Sequence, residues 1–412
     1  MSKKKILIIG SGPAALIAAD VLGENCEVHV FEKGEAPGRK FLVAGKGGFN
    51  LTNSLTGEAL LNKFTPVSFF NPILSEFDSV DTGNWLLDLG IPTYEGTSGR
   101  IFPEKNIKPI TVLQKIRDKL TGKNVQFHFN HEFISFDEKQ QPVFNHKGEN
   151  VTVEADHYLF ALGGASWPVT GSTGSWTSAF ENIGITVLPF QSSNCGVNVD
   201  WPAEFKEKLQ GMPLKNISLR VNDFSIKGEV LISEYGLEGN AIYPAIPAIR
   251  KSFAENGKAE IHFDLKPDNS IEQLSGKVKE FETLIYKSSG TNAYKEAFNL
   301  DKARLILLKT FTTKEEFLEP EVLVSKLKDL VVPVSGLRKI EEAISTIGGI
   351  SLDELNEDLS LKKFPTISVA GEMLDWDAPT GGFLLQACFS TGYFAAMSIL
   401  EKLNHHKDTE AQ

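Results

Sequence analysis

The residues best suited to chemistry stand where the first apolar run meets a glycine turn. Ile6-Leu7-Ile8-Ile9 leads straight into Gly10-Ser11-Gly12-Pro13-Ala14-Ala15, and an alanine-rich helical stretch continues to about Leu22. A second strand, Cys26 to Phe31, ends in Glu32, roughly 20 residues after the first glycine, as an adenine-dinucleotide site requires. Gly10 permits the tight turn, Gly12 lets backbone approach a pyrophosphate, and Ala15 in the third glycine's place keeps helix and strand close. The helix start, with Pro13 and Ala14 in its first turn, offers unpaired N–H groups and about half a positive charge to the phosphates. Glu32 then accepts from ribose hydroxyls, bonds of about 1.5–3 kcal/mol each when one partner is charged. A carboxylate there repels a 2′-phosphate, so the ligand expected is FAD or NAD rather than NADP.

A second set of candidates lies near the C-terminus. Ile367-Ser368-Val369-Ala370-Gly371-Glu372 reads as a strand ending in Gly-acid, followed by Asp375, Trp376 and Asp377. Thr380-Gly381-Gly382-Phe383 then opens an apolar helix to about Leu400. In flavoproteins of the glutathione-reductase type a late Gly-acid pair holds the ribityl chain, and the next helix points its N-terminus at the flavin, where reduced flavin gathers negative charge. Glu372 is one methylene longer than the commoner Asp. The plain alternative makes Glu372 a surface acid or helix cap. Between the two ends lie Pro37-Gly38-Arg39-Lys40 and Gly45-Lys46-Gly47-Gly48-Phe49-Asn50-Leu51-Thr52-Asn53. Their glycines bring backbone to a ligand, Arg39 and Lys40 offset pyrophosphate charge, and Asn50 and Thr52 can hydrogen-bond it; the bland reading is a solvent loop. Arg100, in Gly99-Arg100-Ile101-Phe102-Pro103, is a candidate for the substrate side.

The elements that must position these residues suggest an α/β chain in three stretches. Residues 1–190 alternate strand and helix, with a helix at Ile110 to Leu120, strands at Val125–Phe129 and Val151–Val153, and an apolar strand Tyr158 to Leu162 ending in Gly163-Gly164. Residues 191–345 look like a β-rich insert with a helical lobe at about 270–330, including Lys302 to Thr310 and Glu321 to Leu330. Residues 346–402 return to the first domain, and 403–412 read as a polar tail. At 23% charged and −11 overall, the chain argues against a nucleic-acid partner. No unbroken apolar run approaches the ~20 residues that cross a membrane, so no membrane partner is expected. Three distant cysteines, Cys26, Cys195 and Cys388, suit a reducing, cytoplasmic setting. The eight histidines show no metal-ligand spacing. Lys3-Lys4-Lys5 before an apolar stretch imitates a signal peptide, but the Gly-Ser-Gly-Pro break argues against export.

The chain resembles the BaiN-like and aminoacetone-oxidase-like family of NAD(P)/FAD-dependent oxidoreductases. The resemblance rests on Gly10-x-Gly12-x-x-Ala15, Gly38-Arg39-Lys40, Asn50-Leu51-Thr52-Asn53, Gly99-Arg100-x-Phe102-Pro103 and Ala161-Leu162-Gly163-Gly164-Ala165-Ser166. It continues through Gly228-Glu229, Gly236-Leu237-x-Gly239, Thr346-x-Gly348-Gly349, Ala370-Gly371-Glu372 and Thr380-Gly381-Gly382. It implies a Rossmann-like FAD-binding domain with an inserted β-barrel-like domain and a small helical lobe. It also implies FAD held non-covalently at Gly10, Gly12, Glu32, Arg39, Lys40, Asn50, Gly371, Glu372 and Gly382. Pro13, Ala14, Ala15, Lys33, Gly38, Gly45, Leu51, Thr52, Ala161, Gly163, Asp377, Gly381 and Phe383 complete the candidate cofactor set. Two departures mark a divergent branch: Gly48-Phe49 stand where many members have Arg-Cys, and Leu384 where an Asn is common. The expected activity is hydride transfer through flavin N5 to or from a small organic substrate, the cycle being closed either by NAD(P)H as a transient donor or by another donor or oxygen. The substrate is expected beside Arg100, Tyr243 and the Trp167–Ser175 loop. No residue's context names it as catalytic acid or base. An RNA-modifying role, or a non-catalytic FAD sensor, are the alternatives.

Overall fold

The computed structural model describes residues 3–43, 48–285 and 290–410. The first apolar run forms strand β1 (Lys5–Ile9), whose side chains are buried on both faces after Lys5, as a central parallel strand demands. Helix α1 (Pro13–Leu22) follows, with Gly12 as its N-cap, and strand β2 (Glu27–Phe31) returns beside β1. Three more strands complete the sheet: β3 (Gln126–His128), β4 (His157–Phe160) and β5 (Ile367–Val369). The order is β5-β4-β1-β2-β3, parallel throughout. The chain therefore turns in opposite directions from β1, toward β2 on one side and toward β4 on the other. A crevice at the carboxyl ends of the strands, where the order reverses, is the usual ligand site of such sheets.

Helix α2 (Phe383–Glu410) packs along α1. The two backbones approach so closely that a Cβ on Gly392 would lie 2.2 Å from the Ala14 carbonyl oxygen. The helix runs to Glu410, into the segment expected as a polar tail. Its stretch Phe383–Asn404, with mean hydropathy 1.5, is long and apolar enough to cross a membrane by length and composition. This differs from the sequence expectation because Gln386, Ser390 and Thr391 interrupt the run without lowering its average much. All three are buried together with Ala387, Phe389, Ala395, Ala396 and Ile399, the pattern of a core helix that is apolar nearly all round.

The chain divides into two compact units, residues 1–192 with 340–412, and residues 193–339. The second unit is a seven-stranded antiparallel sheet. Its outermost strands, Leu330–Val334 and Gly336–Leu337, are separated in the chain by Ser335 alone, so the sheet curls back on itself like a barrel. Helices between Ile271 and Lys328 accompany it. The last of these stops at Lys328, and Leu330, expected to end a helix, instead starts a strand rich in Val. Tyr243 opens a short turn of this unit, Tyr243–Ala245.

Candidate functional site

The first unit contains an open cleft, the concave kind of setting in which ligands bind. It is lined by the turn 9–14 and the end of β2, and by the neighbouring loop 161–163 and turn 370–372. Segments 38–41, 131–133 and 170–176 close its sides. Of the candidates, Gly10, Gly12, Pro13 and Ala14 line the floor at the start of α1, with Glu32 and Lys33 beside them. Gly38, Arg39 and Lys40 face Ala161, Gly163, Gly371 and Glu372 around the same space. Ala15 is fully buried between helix and sheet. Gly45 lies outside the described residues.

The turn is built for a ligand. A Cβ on Gly10, at φ +102°, would lie 2.3 Å from the Ala161 carbonyl oxygen, so only glycine lets β1 and β4 end side by side. A Cβ on Gly12 would meet nothing within 4 Å, because that position looks into open space. The first-turn N–H groups of α1 have no acceptor within the helix. The Glu32 carboxylate is held at the edge: Ser11 Oγ donates to Oε2, and the Gly34 N–H donates to Oε1 at 2.7 Å. A carboxylate has about four acceptor sites, so ribose hydroxyls still find acceptors there. These features fit an adenine dinucleotide such as FAD.

Lys33 reaches across to loop 167–176, with Nζ 3.4 Å from Thr173 Oγ1, and Arg39 donates to the Val169 carbonyl at 3.4 Å. That loop lines the cleft through residues 170–176 and is pinned by Ser172 Oγ to Gly164 O (2.9 Å) and Trp176 Nε1 to Gly163 O (3.0 Å). Cys388 also lines the cleft. Burial pushes its thiol up to about 12, Glu372 adds to the rise and Lys40 opposes it. Residues 131–133 were missed as well. Nothing in their sequence marks them, because they reach the cleft only through the pairing of the chain after β3 with the end of β2.

A second cluster gathers at the start of α2. The Asn50 amide oxygen accepts from the Gly382 N–H at 2.5 Å, and its nitrogen donates to the Gly48 carbonyl at 3.2 Å. Leu51 is buried, and its N–H donates to Ile101 O. Gly382, at φ +101°, allows the strand Thr52–Asn53 to pass so near that a Cβ would lie 2.2 Å from Thr52 O. Asn53 Nδ2 donates to Gly381 O at 3.1 Å. Thr52 is turned inward: its hydroxyl donates to Gln386 Oε1 at 2.5 Å. Phe383 is buried against Phe64. Asp377 pairs its backbone with Thr65 in both directions (2.9 Å each) and caps the Ala378 N–H at 3.0 Å. Asn50, Leu51, Thr52, Asp377, Gly381, Gly382 and Phe383 are therefore not among the residues that line the cleft. Phe49, in one of the divergent positions, packs edge-on to Phe41 and is buried. Arg100 begins the strand that pairs with Thr52–Asn53.

The sheet order, the Gly-Ser-Gly turn and the acid at the end of β2 define an FAD-binding Rossmann-type α/β fold. A flavocytochrome c3 fumarate reductase structure shares it, at TM-score 0.51 and 14% identity over 97% of this chain and 79% of that one. The description HI0933-like protein Rossmann domain matches residues 4–398, and the chain belongs to that family. The ribosomal RNA dihydrouridine synthase of Escherichia coli (strain K12) is 23% identical, over 97% of this chain and 99% of that protein. The 3-dehydro-bile acid delta(4,6)-reductase of Clostridium scindens is also 23% identical, with the same shares covered.

Proposed function

We propose that the protein is an FAD-dependent oxidoreductase that reduces a carbon–carbon double bond conjugated with a carbonyl. The observation that carries this reading is the cleft at the head of α1, closed by residues from both ends of the first unit. Bound there, FAD would supply hydride transfer at N5. The first turn of α1 would hold the pyrophosphate, Glu32 the ribose, and the start of α2 would favour negative charge on the reduced ring. The substrate class follows from the relatives. Dihydrouridine differs from uridine by two hydrogens across a double bond next to a carbonyl, and a delta(4,6)-reductase removes ring double bonds. In such a reaction a hydride adds to the carbon β to the carbonyl, a proton adds to the α carbon, and NAD(P)H replaces the two electrons. The chain carries no second Gly-x-Gly fingerprint after a strand, so NAD(P)H would dock transiently. We also place the protein in the cytoplasm, on the strength of its sparse, distant cysteines.

A second reading takes RNA as the substrate. It is favoured by the two relatives named ribosomal RNA dihydrouridine synthase, from Escherichia coli and Haemophilus influenzae. The net charge of −11 weighs against it. One experiment separates these readings: anaerobic reduction of the flavin by NADH or NADPH, then reoxidation by cyclic enones, a Δ4-3-ketosteroid and ribosomal RNA. Reoxidation by an enone or steroid alone supports a small-molecule reductase, and by RNA alone the second reading. A flavin that no donor reduces and no acceptor reoxidises would leave a non-catalytic FAD-binding protein. A purified chain without flavin absorption that fails to take up FAD would sink both readings.

A further inference from the structure

Lys40 does not reach for open space at the head of α1. Its Nζ lies 2.7 Å from Glu372 Oε2 and 2.7 Å from Ser166 Oγ. The three residues come from three different segments, the helix Arg39–Val43, the loop after β4 and the turn after β5. The other oxygen of Glu372 accepts from the Thr346 N–H at 3.1 Å. Thr346 in turn accepts at Oγ1 from the Ala165 N–H at 3.3 Å, which closes a ring of polar groups. Ser166 is fully buried, and the Glu372 side chain is only 14% exposed. The ring leaves no spare volume: a Cβ on Gly164 would sit 2.1 Å from Thr346 Oγ1 and 3.1 Å from Glu372 Cδ. A mostly buried carboxylate that loses its counter-charge is costly. The carboxylate of Glu372 is therefore aimed by Lys40.

We propose that Lys40 is a positioning residue that acts on the cofactor through Glu372, clamping the carboxylate across the cleft, rather than as an independent counter-charge for the pyrophosphate. The proposal rests on FAD occupying this cleft. A residue that acts through another contributes nothing once that other is gone, whereas two independent ligands lose affinity separately.

The test is a double-mutant cycle on the FAD dissociation constant, read by flavin fluorescence with apoprotein of the full chain. The variants are K40M, K40R, E372Q and K40M/E372Q. We expect K40M to weaken FAD at least 10-fold, K40R to recover most of that loss, and the double variant to bind within about 3-fold of the weaker single. The reduction potential of the bound flavin should shift alike in K40M and E372Q. Single-variant losses that multiply in the double variant, or a K40M loss that grows steadily as salt falls while E372Q shows none, would overturn the clamp and restore Lys40 as a pyrophosphate ligand. If K40M does not fold, K40R and the swapped pair K40E/E372K decide: the swap must recover affinity relative to K40E alone, and failure to do so counts against the clamp. Wild-type protein that takes up no FAD would refute the cofactor reading itself, which is a different failure.

Discussion

The Thr52 hydroxyl donates to Gln386 Oε1 at 2.5 Å, joining residues 334 positions apart in a site with no access to water. Thr82 donates to the same oxygen at 2.8 Å, Gln386 Nε2 donates to Ser390 Oγ at 2.9 Å, and Ser390 donates to the Phe77 carbonyl at 2.7 Å. The chain of bonds fixes the first turns of α2 against the strand that passes Gly382. Gln386→Leu strands the Thr52 hydroxyl, at about 1–3 kcal/mol for a buried group left without a partner, whereas Thr82 keeps the Asp78 carbonyl at 3.1 Å. The variant should melt lower and bind FAD more weakly. Removing the polar groups together, as T52V/T82V/Q386L, should restore part of the melting temperature, because apolar replacement of all partners is nearly neutral. A triple variant less stable than Q386L would show that the network itself stabilises the core.

Glu32 carries a different prediction. Its carboxylate already accepts from Ser11 and Gly34, so its inner bonds hold the turn while its outer lone pairs face the cleft. Glu32→Ala should weaken FAD by about 10- to 100-fold, the equivalent of one charged hydrogen bond. Ser11→Ala, which removes only an inner bond, should cost less than 10-fold on the same scale. Equal losses for the two variants, measured by equilibrium titration with FAD, would mean that Glu32 serves the turn and not the ribose.

These contrasts show what the sequence makes legible. The run from Ile6 to Glu32 could be read residue by residue, because strand, turn, helix and acid are neighbours in the chain and each obeys a local rule. The same holds for the Gly371-Glu372 turn and the glycines before α2. Pairings across more than 300 residues leave no local trace. Thr52 looked like a ligand donor because nothing nearby shows that its hydroxyl donates to Gln386. Nothing near Lys40 in the sequence shows that Glu372, 332 positions later, lies 2.7 Å from its Nζ. Asp377 looked like part of the site by proximity to Glu372, whereas its backbone is spent on Thr65. Leu330 was assigned to a helix by apolar spacing, yet the β-branched residues after it favour the strand.

Asp20 ties helix α1 to its surroundings. Its carboxylate meets Lys123 at 2.7 Å, Lys119 at 3.0 Å and Trp85 Nε1 at 2.8 Å. Burial alone would raise its pKa, but these three partners together hold it below the ordinary carboxylate value. The stability it provides is present above the unfolded-state pKa of about 3.9 and is lost as pH falls through the lower folded value. Asp20→Asn should cost about 3 kcal/mol at neutral pH, at the low end for breaking a buried pair, because both lysines can turn toward water. Urea unfolding should show the gap between wild type and variant closing below about pH 4. A gap independent of pH would assign the loss to packing instead of charge.

His157, in the central sheet, also costs the fold stability on acidification, but in a higher pH window than Asp20. It opens β4 and is buried, with Nε2 2.9 Å from Ser368 Oγ on β5. Burial lowers its pKa to about 3; the Lys402 charge pushes the same way, and Asp358 opposes both. The folded protein thus keeps the ring neutral while the unfolded chain takes up a proton near its ordinary pKa of about 6.5. The unfolded state therefore binds more protons between these values, and stability must fall as pH drops from about 6.5 toward about 3. The slope from this one group approaches about 1.4 kcal/mol per pH unit in the middle of that window. His157→Gln keeps a partner for Ser368 and removes the titration. Its unfolding free energy, followed by urea titration between about pH 7.5 and pH 4, should decline less steeply than wild type by about one proton's share. Parallel declines in the two proteins would mean that the ring is protonated in the folded state, and that the bond to Ser368 does not require a neutral imidazole.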